Sequence, residues 1–336
     1  MQISKDANLI EDILKPAEVM PTRDGAGKAL VEFGEANKNL VVLTADVSES
    51  VRTHWFEQKF PNRFFEVGVA EQNLAGVAAG LAATGKIAVI AAYAVFSPGR
   101  NWDFIRVAVC YNNVNVKILG SHTGLTVGPD GATHQALEDI AITRVLPNMT
   151  VIVPADGKEA RKAMLAALAI KSPVYIRVTR DKVPVFTTDL TPFEIGKALL
   201  LKEGKDITLI GCGTVVYDCL KAAAELEKEG ISAEVINCHT VKPLDAETII
   251  NSAKKTDMVM TVEEHQIDGG FGSAVCECLA GSHPCRVKRH GMPNIFGESG
   301  DSKDLLRKYK LDANGIAETA RKAIGGVKNK QKVTVI

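Results

Sequence analysis

Two histidines, two aspartates, one glutamate and two arginines stand where apolar runs of the sequence end. Asp46 follows the run 39–45, with Ser48 and Ser50 just behind it. Glu71 follows the run that begins at Phe64. His122 closes VKILGSH, and Asp130 and His134 lie in the loop GPDGATHQ. Arg180 follows the run 174–178, and Arg23 opens the first helical stretch. Arginine forks bind planar anions, while histidine and aspartate exchange hydrogen bonds with hydroxyls. Gathered on one surface, these side chains would take a polyhydroxylated, anionic substrate. Taken singly, each has a plainer reading. It is a loop residue, a hydrogen-bonded core histidine or, for Glu71, an acid that suits the first turn of a helix.

The surrounding elements decide whether they gather. Short continuous apolar strands alternate with helices, which predicts an α/β fold with parallel sheets covered on both faces. The C-terminal strand ends of such a sheet share one edge, where ligands are held. Strands are expected at 39–45, from Phe64, and at 87–92, 114–119, 150–153 and 174–178. Helices are expected at 22–34, 52–60, 102–111, 136–144 and 158–169. The central stretch is 64–83, FFEVGVAEQNLAGVAAGLAA. Its small residues Ala75, Gly76, Ala79, Gly80 and Ala83 predict one helical face that another backbone can approach. Proline and threonine mark 183–196 as a linker. A second α/β pattern follows, with strands at 207–210, 233–237, 258–262 and 285–287. The expected organisation is an arm over 1–20, one α/β domain over 21–182 and a second over 197–325. Residues 326–336 read as a weakly ordered tail.

Forty basic residues balance forty acidic ones, so no global field favours nucleic acid or an anionic membrane. Aromatics make up only 5 %, too few for base-stacking platforms. No apolar run reaches the ~20 residues of a membrane span, and the charged opening MQISKDANLIEDILKP is not a signal peptide. Seven cysteines in a long, lysine-rich chain fit reduced thiols in a cytoplasmic protein, and Cys276 and Cys278 read as packing residues. GCGTVV from Gly211 starts like a dinucleotide fingerprint. Val216 takes the third glycine position, and no acid ends the next strand, so a tight strand-to-helix turn explains it.

VGVAEQN, GSHTGLTVGPDGATHQ and the strand end YIRVTR resemble transketolase. AVFSPGRNWDFIR looks most like the C-terminal chain of a split transketolase. The resemblance implies a pyrimidine-binding α/β domain followed by a transketolase C-terminal α/β domain, the C-terminal half of a full-length enzyme. It implies thiamine diphosphate and Mg²⁺, and transfer of a two-carbon ketol unit between sugar phosphates of the pentose phosphate pathway. Glu71 would bond the aminopyrimidine, with Tyr93, Phe96 and Trp102 against the ring and Asp46 nearby. Tyr93 stands where phenylalanine is more usual. Asp130 and His134 would meet sugar hydroxyls, His134 also shuttling protons. Arg23, Ser50, His122 and Arg180 would meet the phosphate end. The sequence has no GDG motif, so no metal ligand is expected here. The diphosphate and Mg²⁺ are expected on an N-terminal partner subunit, in an α2β2 heterotetramer.

Three rivals stand beside this resemblance. A 1-deoxyxylulose-5-phosphate synthase shares the THQ loop, but a chain starting at Met1 of this half fits a separate subunit better. The beta subunit of a 2-oxo-acid dehydrogenase has this size but no need for PDGATHQ. An idle scaffold subunit would have no use for the polar edge.

Overall fold

The computed structural model describes residues 2–331, with side chains to residue 325. The first sheet has seven strands in the order Thr240–Lys242, Thr150–Ile152, Val174–Arg177, Val116–Ser121, Ile87–Tyr93, Leu40–Thr44 and Phe64–Glu66. All neighbours are parallel except Thr240–Lys242, which runs antiparallel on Thr150–Ile152. The register sets Thr44, Ala91, Leu119, Ile176 and Ile152 level across the sheet. Whatever follows those residues therefore emerges on one edge. The second sheet runs Arg286–Met292, Met258–Gln266, Ile207–Gly211, Ala233–Asn237 and Leu199–Lys202, with only the last strand antiparallel.

The fully buried strands Leu40–Thr44 and Ala233–Asn237 carry apolar residues on both faces, as a sheet covered twice requires. Helix Thr22–Ala36 lies against helix Gly157–Ala169 so closely that a Cβ on Gly25 would sit 1.9 Å from the Gly157 carbonyl oxygen. One apolar core covers a face of the first sheet through Leu43, Ile90 and Ile118 and continues to Ile210, Ile236 and Val259 of the second.

Several expectations change. The strand Thr240–Lys242 comes from the second α/β stretch yet completes the first sheet. The helix expected over 102–111 is a short α turn, Trp102–Phe104, followed by a π-helix, Ile105–Tyr111. Val19–Met20 and Val183–Pro184 pair antiparallel, so arm and linker tie each other down. The tail expected from 326 starts as helix, because Ala313–Gln331 is one α-helix; residues 332–336 lie outside the described ones. The small residues of Glu71–Ala83 split between two faces. Ala75 and Ala79 are buried, while Gly80 and Ala83 are exposed. All seven cysteines are free thiols. Among the described residues no helix is long and apolar enough to cross a membrane.

Candidate active site

Strand Phe64–Glu66 ends in a short turn, and helix Glu71–Ala83 begins on Glu71 itself. The exposed Glu66 carboxylate shapes that turn by accepting the backbone N–H groups of Asp46 and Gly68. Glu71 is buried, 3 % exposed, at the sheet edge. Its Oε2 accepts a 2.8 Å bond from Arg100 Nη1, and its backbone carbonyl accepts from the buried Asn101. Arg100 Cζ lies 4.7 Å from the centroid of the Phe96 ring. The planar guanidinium therefore covers an aromatic face and donates an N–H to a buried carboxylate.

From Phe96 the aromatic groups continue along the strand ends. Tyr93 stacks on His122 at 3.8 Å between centroids and on Phe96 at 6.3 Å. His134 meets Tyr93 and Phe96 edge-on, at 6.0 and 5.5 Å. His134 Nδ1 is 2.9 Å from Thr133 Oγ1, which leaves Nε2 for a substrate. His122 is buried, and that burial, helped by the positive charges of Arg23 and Arg180, pulls its pKa down to about 3. It is neutral at physiological pH. Arg23 Nη1 lies 3.4 Å from His122 Nε2 and can only donate, so Nε2 accepts and Nδ1–H points to Ser121 Oγ, 3.0 Å away.

The positive charge at this end thus belongs to the arginines. Arg23 Nη1 also donates to the Ser50 carbonyl at 2.7 Å. Burial and the nearby Arg52 lower the pKa of Arg23. Arg180 donates to Asp130 Oδ2 at 2.9 Å. Arg23, Arg52 and Arg180 line an open cavity of about 400 Å³ together with Val127 and Pro129.

The structure thus brings together Glu71, Tyr93, Phe96, His122, His134, Arg23, Asp130 and Arg180, with Ser50 joining through its carbonyl. Trp102 is elsewhere. It was expected against the pyrimidine, but its indole N–H donates to the Ile142 carbonyl at 2.6 Å and its ring packs on the apolar core. Asp46 is an exposed turn residue with φ +60°, anchored through its backbone N–H. The sequence did not point to Arg100 or Arg52. A cation four residues after Phe96 was the one available signal for Arg100. In the second α/β unit, Gly211 packs on Val216, and a Cβ at Gly211 would come within 2.9 Å of the Val216 side chain. That fits a tight strand-to-helix turn.

Residues 18–185 match the transketolase pyrimidine-binding domain, and residues 196–316 match the transketolase C-terminal domain. A Methanocaldococcus jannaschii protein named as a transketolase C-terminal section is 44 % identical over 88 % of this chain and 94 % of its own length. A 6-deoxy-6-sulfo-D-fructose transketolase subunit of a Clostridium species is 41 % identical over 89 % of this chain and 92 % of its own. Among solved structures, a split-gene transketolase described as an inactive β4 tetramer superposes with a TM-score of 0.85. It is 46 % identical and is matched over 91 % of this chain and 99 % of its own.

Proposed function

The chain belongs to the transketolase family as a C-terminal section of the split type, and from that premise we propose that it supplies the pyrimidine and sugar half of a thiamine diphosphate-dependent active site. A partner chain bearing a GDG motif holds the diphosphate and Mg²⁺. The observation that carries this reading is the Arg100 guanidinium, a planar N–H donor lying on Phe96 and bonded to buried Glu71. A site that accepts this group fits an aminopyrimidine, which is likewise planar and bears N–H donors. When bound, thiamine diphosphate supplies an electron sink for breaking the bond next to a ketose carbonyl.

The chain's own residues do the rest. Glu71 would hold the aminopyrimidine by a hydrogen bond, with Tyr93 and Phe96 as the aromatic groups beside it that exclude water. His134 Nε2 gives and takes a proton at a sugar hydroxyl. Asp130 accepts from a second hydroxyl, and Arg23 and Arg180 hold the anionic end. The first α/β domain, 21–182, carries this edge, and the second, 197–325, backs it. The related β4 tetramer is described as inactive, which supports a chain that needs its partner.

The test combines the chain with a GDG-bearing partner. Ketol transfer from xylulose 5-phosphate to ribose 5-phosphate is expected, with 6-deoxy-6-sulfofructose as a further donor. Turnover of pyruvate with glyceraldehyde 3-phosphate instead would sink the reading. Glu71→Gln should assemble normally and lose more than tenfold in turnover, a barrier change above about 1.4 kcal/mol. A variant that keeps its rate would leave Glu71 a first-turn acid and nothing more.

A further inference from the structure

Asp130 and His134 sit on a loop between strand Val116–Ser121 and helix Asp139–Arg144, and such a loop holds its shape only through partners for its backbone. Some of those partners lie within the loop, and others come from the second domain. Glu264, on strand Met258–Gln266, is 3 % exposed, and its Oε1 accepts the Thr126 backbone N–H at 2.7 Å. The chain passes hard against this carboxylate. Gly124 has φ +75°, and a Cβ there would stand 2.3 Å from Glu264 Oε1. Ser302 Oγ donates to the Thr126 carbonyl at 3.3 Å. At the far end of the loop, Gln135 Nε2 donates to the Glu298 carbonyl at 2.9 Å. Arg177 Nη2 ties the Glu264 carbonyl, at 2.9 Å, to that of Ala136, at 3.1 Å. The loop is thus clamped at both ends from the second domain, and Glu264 is the carboxylate in the clamp.

We propose that Glu264 is a positioning residue, which fixes Thr126 and so sets Asp130 and His134 at the distance a sugar's hydroxyls require. This rests on the sugar-contact role given above to Asp130 and His134. Glu264 touches no substrate. It acts through the three residues of backbone between Thr126 and Asp130, and a misplaced loop costs sugar contacts while sparing the Glu71 end of the site.

The experiment uses the enzyme assembled with its partner. Glu264→Ala is expected to raise KM at least tenfold for five- and six-carbon sugar phosphates. With hydroxypyruvate as donor and glycolaldehyde as acceptor, which have no sugar chain to hold, the loss is expected to be several-fold smaller. Thiamine diphosphate affinity, read by calorimetry, should stay within twofold. Glu264→Gln keeps an oxygen for the Thr126 N–H and should restore KM. If Glu264→Ala fails to fold, Glu264→Asp retains the charge but shortens the reach, and the same contrast is read on it. Asp130→Ala is the control. Selectivity for long substrates in Asp130→Ala but not in the Glu264 variants overturns the positioning role. No selectivity in Asp130→Ala overturns the sugar-contact reading, and the positioning role with it.

Discussion

At the scale of single residues, Arg100 is the side chain with the most to give up. It is 45 % exposed, yet it holds both contacts that a ring at Glu71 would need, the carboxylate and the Phe96 face. A ring that takes Glu71 has to move it. Arg100→Ala should therefore tighten thiamine diphosphate binding several-fold in the assembled enzyme, part of a charge-assisted bond worth about 1.5–3 kcal/mol before solvent screening. Calorimetric titration of both enzymes measures this. Weaker binding in the variant would mean that Arg100 is itself a cofactor contact. Much of the polar edge was legible because Asp46, Glu71, His122 and Arg180 each come soon after an apolar run, and parallel strands deliver their C-terminal ends together. Arg100 and Glu264 were not legible in the same way. Arg100 works through a ring contact, and Glu264 through a backbone amide 138 positions away. Neither relation leaves a local pattern.

At the scale of elements, helix Glu71–Ala83 shows what periodicity can and cannot decide. Small residues every three or four positions do predict close approach, but here they divide between two faces. Ala75, Ala78, Ala79 and Ala82 face the core, while Gly80 and Ala83 face outward beside exposed Val77, and Phe104, Val107 and Tyr111 are exposed nearby. A Cβ at Gly80 would meet nothing within 4 Å among the described residues. Gly80→Leu should leave the isolated chain as stable or more so, by about 0.5–1 kcal/mol of helix propensity. The same change should block assembly with the partner, because an exposed apolar face of this kind marks an interface. Thermal unfolding and size-exclusion chromatography separate the two effects; normal assembly would place the interface elsewhere. Among the strands, the long apolar ones were legible and the short antiparallel ones were not. Thr240–Lys242 and Leu199–Lys202 have three and four residues and no alternation to read.

At the scale of the whole molecule, the join between the domains has its own titration. Glu159 is fully buried beside Asp156, and burial followed by that neighbouring charge pushes its pKa up to about 8. It accepts from the Ala155 backbone N–H and from Asn237 of the second sheet. The folded protein therefore keeps a proton that the unfolded chain releases above about pH 4.5, so stability falls as pH rises from there to about 8. The slope from this one group is at most about 1.4 kcal/mol per pH unit. Glu159→Gln should flatten that decline. Asn237 Oδ1, which has no partner among the described residues, can turn to accept the new amide. Denaturant unfolding at several pH values checks it, and parallel curves for the two proteins would assign the slope to another group. The strand Thr240–Lys242 has a different kind of consequence, for modularity. By sequence the first α/β unit ends near the linker, but one of its seven strands arrives some fifty residues later, and Lys242 Nζ donates to the Arg144 and Leu146 carbonyls. A gene cut at the linker would yield a fragment whose sheet stops at Thr150–Ile152, with a row of N–H and C=O groups open to any passing strand. The boundary that sequence draws between the two units is therefore not the boundary of the first sheet, which closes only when residues 240–242 are on the same piece of chain.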